Sequence, residues 1–228
     1  MQERYLEIYA RVRDFFEQSY GRSVFLMYGT LLGYYREGDF IPGDDDFDAG
    51  FISDKSDPQS VKEETFDIIV DLVRAGFTVS FNRRGRLMRV QLERGPADGA
   101  HVDLRPLWFQ DCNLWVHNHV CLPLSRDDFV PVVEGTLRGE TIYAPCNTES
   151  FLRSHYGPGW STPDPGFIYY PSEVDPAVRR NLSRALITVR EHHELVARIE
   201  QECADSPSAG RYVSIGSQDL YPLENYIS

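Results

Sequence analysis

The sequence predicts an α+β fold, with helices flanking a mixed β-sheet and a helical extension at the C-terminal end. Helix-, strand-, Gly-led-helix-, acidic-strand- and helix-like segments follow one another before a series of strands. Helical and strand periodicities alternate along the chain. Its 42% hydrophobic and 25% charged residues form an ordinary globular balance, sufficient to bury a core.

Tyr5, Ile8, Tyr9, Val12, Phe15 and Phe16 recur at helical spacing, so an amphipathic helix spans 5–19 and Gly21 closes it. Val24 to Tyr28 reads as a buried strand. Gly29-Thr30 turns the chain into a short apolar helix, Leu31 to Tyr35, ending near Gly38. After an acidic loop at 43–45, Asp46 to Ile52 reads as a second strand. Residues 59–75 form a helix stopped by Gly76. Strands follow at 77–81 and 87–93 around a basic hairpin turn, then from His101 to Pro106. Shorter strands are expected at 114–121 and 141–144, and helices at 147–156 and 175–202. The tail from Ser206 onward has no periodicity that places it. With no repeat and no clean linker, a single domain over 1–228 is expected.

A formal net charge of −12 argues against nucleic-acid and anionic-membrane surfaces, which attract Lys and Arg. No apolar run approaches the roughly 20 residues that cross a bilayer, and the charged opening has no signal-peptide core. A cytoplasmic protein is expected. Cys112, Cys121, Cys146 and Cys203 are too few and scattered for a disulfide framework and read as reduced thiols.

The acidity concentrates in Asp44-Asp45-Asp46-Phe47-Asp48. Side chains alternate on a strand, so Asp46 and Asp48 share a face while Phe47 points to the core. Two carboxylates so placed repel each other, and they suit a hard cation such as Mg²⁺. Asp103 lies in the apolar His101-Val102-Asp103-Leu104, where a lone acid is costly unless paired or metal-bound.

The stretch Tyr28-Gly29-Thr30-Leu31-Leu32-Gly33-Tyr34-Tyr35-Arg36-Glu37-Gly38-Asp39-Phe40-Ile41-Pro42-Gly43-Asp44-Asp45-Asp46-Phe47-Asp48 resembles the signature of the LicD/fukutin family. That family includes phosphorylcholine transferases of bacterial surface glycans and ribitol-phosphate transferases of animal glycoproteins. Phe151-Leu152, His155-Tyr156-Gly157 and Trp160 are similar to its closing element. The resemblance covers about 24–165, leaving about 166–228 as the helical extension. Gly43 departs from the Trp common there, so the loop before the acids is expected to take a different shape.

The resemblance implies a nucleotidyltransferase-like fold, with Asp46, Asp48 and Asp103 as catalytic and metal-holding residues for two Mg²⁺ or Mn²⁺ ions. Gly29 and Thr30 would approach the phosphates at a helix start, where a missing Cβ lets backbone N–H groups come close to an anion. Arg36 would pair a phosphate through its planar fork. Asp103 would take the acceptor's proton. The implied reaction transfers a phospho-alcohol (phosphocholine, glycerol-phosphate or ribitol-phosphate type) from a CDP-activated donor to a hydroxyl of a cell-surface glycan or its precursor, with CMP leaving. Asp44, Arg89, Tyr156 and Trp160 complete the candidate substrate-binding set. Two rival readings stay open: transfer of a nucleoside monophosphate to a small molecule, and a non-catalytic cation- or glycan-binding relative.

Arg83, Arg84, Arg86 and Arg89 read as a solvated hairpin turn or as a clamp for an anionic substrate, with Arg89 the best placed to face a site. Cys112, His117, His119 and Cys121 match no standard zinc spacing and read as ordinary strand residues. Tyr156 and Trp160 could stack on a base or sugar, or simply pack. His192 and His193 read as surface residues of the long helix.

Overall fold

The protein is described by a computed structural model over residues 1–81, 87–92, 99–116, 120–164, 166–167 and 175–213. Its elements run α1 (Gln2–Tyr20), β1 (Val24–Leu26), α2 (Tyr28–Glu37), β2 (Asp48–Ile52), α3 (Pro58–Arg74), β3 (Phe77–Phe81), β4 (Met88–Leu92) and β5 (Val102–Gln110). There follow β6 (Asn113–Val116), β7 (Val120–Leu122), β8 (Val133–Leu137), β9 (Glu140–Ala144), α4 (Thr148–Tyr156), α5 (Pro176–Ser183), α6 (Val189–Glu202) and β10 (Arg211–Tyr212).

The main sheet runs β1-β2-β5-β4-β3-β10, with β6 and β7 continuing from β5. The β2–β5 and β3–β10 pairs are parallel and the others antiparallel, so the sheet is mixed, as the α+β expectation required. β8 and β9 form a separate hairpin.

The apolar stripe of α1 buries Tyr5, Leu6, Ile8, Tyr9, Val12 and Phe16, and Gly21 ends the helix in the left-handed region. Tyr9 hydroxyl donates to the Val24 carbonyl at 2.7 Å and accepts from the Tyr143 amide at 3.1 Å, tying α1 to β1 and β9. Asp57 caps α3 by accepting from the Gln59 and Ser60 amides, with Pro58 at the first helical position.

Several expectations shift. The expected helix at 175–202 is two helices, because Thr188 and Glu191 form a capping box that starts α6 afresh. α6 then docks on α3 through Lys62–Glu191 at 2.8 Å and Arg198–Asp67 at 2.7 Å. β8 was not expected; Arg138 and Gly139, both at positive φ, turn it back into β9 as a two-residue hairpin. Part of the unplaced tail is β10, laid along β3. His192 is fully buried rather than at the surface, edge-on to Phe81 and stacked with Tyr212. No helix among the described residues is long and apolar enough to cross a membrane.

Candidate active site

The acidic strand begins at Asp48, two residues later than expected, and three hydrogen bonds hold that point. The Asp48 amide donates to Thr30 Oγ1 at 2.9 Å, and the Met27 amide donates to the Asp48 carbonyl at 3.0 Å. On the other side, the Asp103 amide donates to the Phe47 carbonyl at 2.8 Å. Phe47 is wholly buried against Tyr5, Tyr9 and Phe40, which anchors the loop between the acids. The parallel register then places Asp48 opposite Asp103. Asp46 stands close enough to feel Asp48, Asp44 and Asp103.

The electrostatics follow from that crowding. Burial, then Asp48, Asp44 and Asp103, push the Asp46 carboxyl up to about 8. Asp44 and Asp103 are also raised, each first by burial and then by Asp48. Three basic side chains lie against the acids. Arg105 Nη2 lies 2.6 Å from Asp48 Oδ1, Arg89 Nε lies 3.3 Å from Asp103 Oδ1, and His101 Nε2 lies 3.4 Å from the same oxygen. Arg89 faces the acids because β4 pairs it directly with Asp103.

Arg105 and His101 were missed as site residues. The signal was present, since His101, Asp103 and Arg105 alternate along one strand and so share a face. His155 was noted only within its motif; its ring stacks on Phe151 and leans on Tyr28, and burial followed by Arg105 pushes its pKa down to about 3.

Gly29 and Thr30 lie within the first turn of α2 rather than in a turn before it. A Cβ on Gly29 would come 3.1 Å from Asp44 Oδ2, so glycine here lets the acidic loop approach the helix start. Thr30 spends its hydroxyl on the Asp48 amide. Arg36 bonds Glu37 at 2.7 Å and the Trp160 carbonyl at 3.4 Å. It lines a cleft of about 500 Å³ with Gly29, Tyr156, Trp160 and Phe167 among its walls. Tyr156 joins cleft to acids: burial, then Asp48, Asp44 and Asp46, raise its hydroxyl pKa. Trp160 rests on Tyr35 with ring centres 5.8 Å apart. Arg83, Arg84, Arg86, His117 and His119 lie outside the described residues. Cys112 and Cys121 are free thiols, and burial pushes Cys121 up to about 11.

The donor set consists of carboxylate oxygens, which suit a hard divalent cation. Asp44 Oδ2 is buried with no hydrogen-bond partner among the described residues, and Asp46 is held against three other acids. Both observations fit a group that brings positive charge. As the side chains stand, no three or more His, Cys, Asp and Glu among the described residues are arranged to hold a metal ion, and Arg105 and Arg89 engage Asp48 and Asp103 instead.

Comparison with known proteins adds to this geometry. A family model described as LicD/FKTN/FKRP, nucleotidyltransferase domain, matches residues 21–147. The chain is similar to the ribitol 5-phosphate transferase FKRP of Homo sapiens, 29% identical over 136 residues, which is 58% of this chain and 27% of that protein. The Mus musculus protein of the same name matches with the same identity and coverage. The match thus takes in about a quarter of these relatives' length.

Proposed function

The chain belongs to the LicD/FKTN/FKRP family through its nucleotidyltransferase domain, and from that premise we propose that it transfers a phospho-alcohol from a CDP-activated donor to a hydroxyl of a cell-surface glycan or its precursor. The observation that carries this reading is the register placing Asp48 opposite Asp103, with Asp46 beside them and an aromatic-walled cleft adjoining.

In this reading Asp46, Asp48 and Asp103 are the residues that would hold Mg²⁺ or Mn²⁺, which would supply positive charge to offset that of the donor diphosphate. The chain's own groups do the rest. Gly29 lines the cleft beside the acidic loop, where the diphosphate would lie, and Arg36 offers its fork to a phosphate oxygen from the cleft wall. Tyr156 and Trp160 flank the donor, and the similarity to a ribitol 5-phosphate transferase favours ribitol phosphate among the transferred groups to try first.

Chemically, the acceptor oxygen forms a bond to the phosphorus carrying the alcohol while the bond from that phosphorus to the CMP oxygen breaks. The acceptor proton passes to the Asp103 carboxylate, which stands opposite Asp48 in the strand register.

The test is to incubate the protein with Mg²⁺, a glycan acceptor, and CDP-ribitol, CDP-glycerol or CDP-choline, and to identify the products. CMP release with a phospho-alcohol on the acceptor supports the reading. Pyrophosphate release from a nucleoside triphosphate would replace it with nucleotidyl transfer. Failure of every CDP-alcohol to raise the melting temperature with Mg²⁺ present would remove the donor assignment.

A further inference from the structure

Arg105 is a charged group at the acidic cluster to which the proposed reaction assigns no task, and it makes the shortest contact there to an acid. It enters from β5 two residues after Asp103, in register with Gly50 of β2, and its Nη2 reaches Asp48 Oδ1 at 2.6 Å. The side chain is buried and its guanidinium sits 5.0 Å above the Tyr28 ring. Its Nε has no hydrogen-bond partner among the described residues, so the carboxylates are its main compensation. Its bonded partner is the carboxylate of Asp48, so it acts on the cluster through that acid.

A buried guanidinium survives only where opposite charge offsets its lost hydration. The benefit is mutual, since the guanidinium bonded at 2.6 Å gives the buried Asp48 carboxylate its counter-charge. Any divalent cation entering this cluster meets a fixed positive charge already bonded to one of its ligands. At low dielectric that repulsion is large, and water screens it little.

We propose that Arg105 is a positioning residue acting as a built-in counter-ion, which holds Asp48 in place before a cation arrives and weakens the cluster's grip on that cation. The inference rests on the divalent-cation reading of the site.

The test titrates Mn²⁺ and Mg²⁺ alone into the full chain, read by calorimetry and thermal shift, so it needs no turnover. Arg105→Met keeps the stem and removes the charge. It should lower the melting temperature without cation, bind Mn²⁺ about ten-fold tighter or more, and recover its stability as Mn²⁺ saturates. Arg105→Lys keeps the charge and should bind Mn²⁺ within about two-fold of wild type; a ten-fold change in that variant overturns the proposal even if Arg105→Met does not fold. Equal or weaker Mn²⁺ binding by Arg105→Met, with wild type binding normally, overturns this inference and leaves the proposed reaction standing. Absence of Mn²⁺ binding in wild type overturns both.

Discussion

Asp48 and Asp103 stand opposite one another across the parallel β2–β5 pair, and the same register carries Arg105 alongside Gly50 two steps further on. One strand pairing therefore brings together two acids far apart in the chain and supplies the cation that balances one of them. Asp48 is bonded by Arg105, whereas Asp103 is shared by the more distant Arg89 and His101. The two carboxylates should respond to neutralisation in opposite ways.

Asp48→Asn leaves a buried guanidinium without its carboxylate, and losing one partner of a buried pair typically costs about 3–5 kcal/mol. Asp103→Asn removes a carboxyl that burial and Asp48 already disfavour in its charged form, so cation-free stability should hold or rise. Urea denaturation without divalent ions separates the two. Both variants should lose about 10³-fold or more in phospho-alcohol transfer. An Asp103→Asn protein with near wild-type rates would remove Asp103 from the chemistry.

The stability of the cation-free protein should fall as pH rises from about 6.5 to 8. Asp46 has an ordinary value of 3.8 and is pushed up to about 8 in the folded protein. The folded state then binds the proton more tightly, so its contribution is complete below 3.8 and lost as pH climbs to about 8. His155 and His192 act in the opposite sense: burial pushes each from 6.5 down to about 3, so they destabilise the fold only as pH drops below 6.5. Above 6.5 the acids act without opposition from these histidines. Melting curves at pH 6.5 and 8 should differ by a few degrees, and Asp46→Asn should flatten the difference. A slope unchanged in that variant would place the titrating group elsewhere.

How much of this was legible in the sequence depended on distance along the chain. The acidic run at Asp46 and Asp48 and the apolar flanks of Asp103 are local signals, whereas Arg89 faces Asp103 only through the β4–β5 pairing. Arg105 shares the strand alternation but joins the site only through the β2–β5 pairing, which puts Asp48 within its reach. Local patterns also misplaced boundaries. Helical periodicity ran across 184–188, although Thr188 and Glu191 spell a capping box, and Gly29-Thr30 looked like a turn when it begins α2. The short β10 depends entirely on the edge of β3, and nothing in its own residues marks it.

Gly33→Ala should loosen the loop that delivers the acids. A Cβ there would lie 2.7 Å from the Asp39 carbonyl oxygen and 2.8 Å from the Ile41 amide nitrogen, and neither backbone atom can swing aside as a side chain would. Overpacking of this kind typically costs about 1–3 kcal/mol. The strain should move residues 39–45, so activity should drop further than stability alone explains. Hydrogen exchange is the check: faster exchange at the Asp44 amide, which donates to the Ile41 carbonyl at 3.1 Å, is expected. Unchanged exchange there would show that α2 yields instead of the loop.

Tyr156 and Trp160 divide two contributions of the cleft that can be measured apart. Tyr156→Phe keeps the ring against Phe167 and His155 (centroids 4.9 and 4.6 Å away) and removes only the hydroxyl beside Asp44, Asp46 and Asp48. Its melting temperature should change by no more than a few degrees, and any loss should fall on turnover, because the hydroxyl lies toward the acids. Trp160→Ala removes a cleft wall that rests on Tyr35 and leaves the acids untouched. Stacking of a base on an aromatic ring is worth about 1–3 kcal/mol, so donor affinity should weaken about ten-fold while cation binding stays unchanged. Calorimetry with a CDP-alcohol and with Mn²⁺ alone reads both quantities. If the donor binds Trp160→Ala as tightly as wild type, the base lies outside this cleft, and Arg36 loses its assigned phosphate as well.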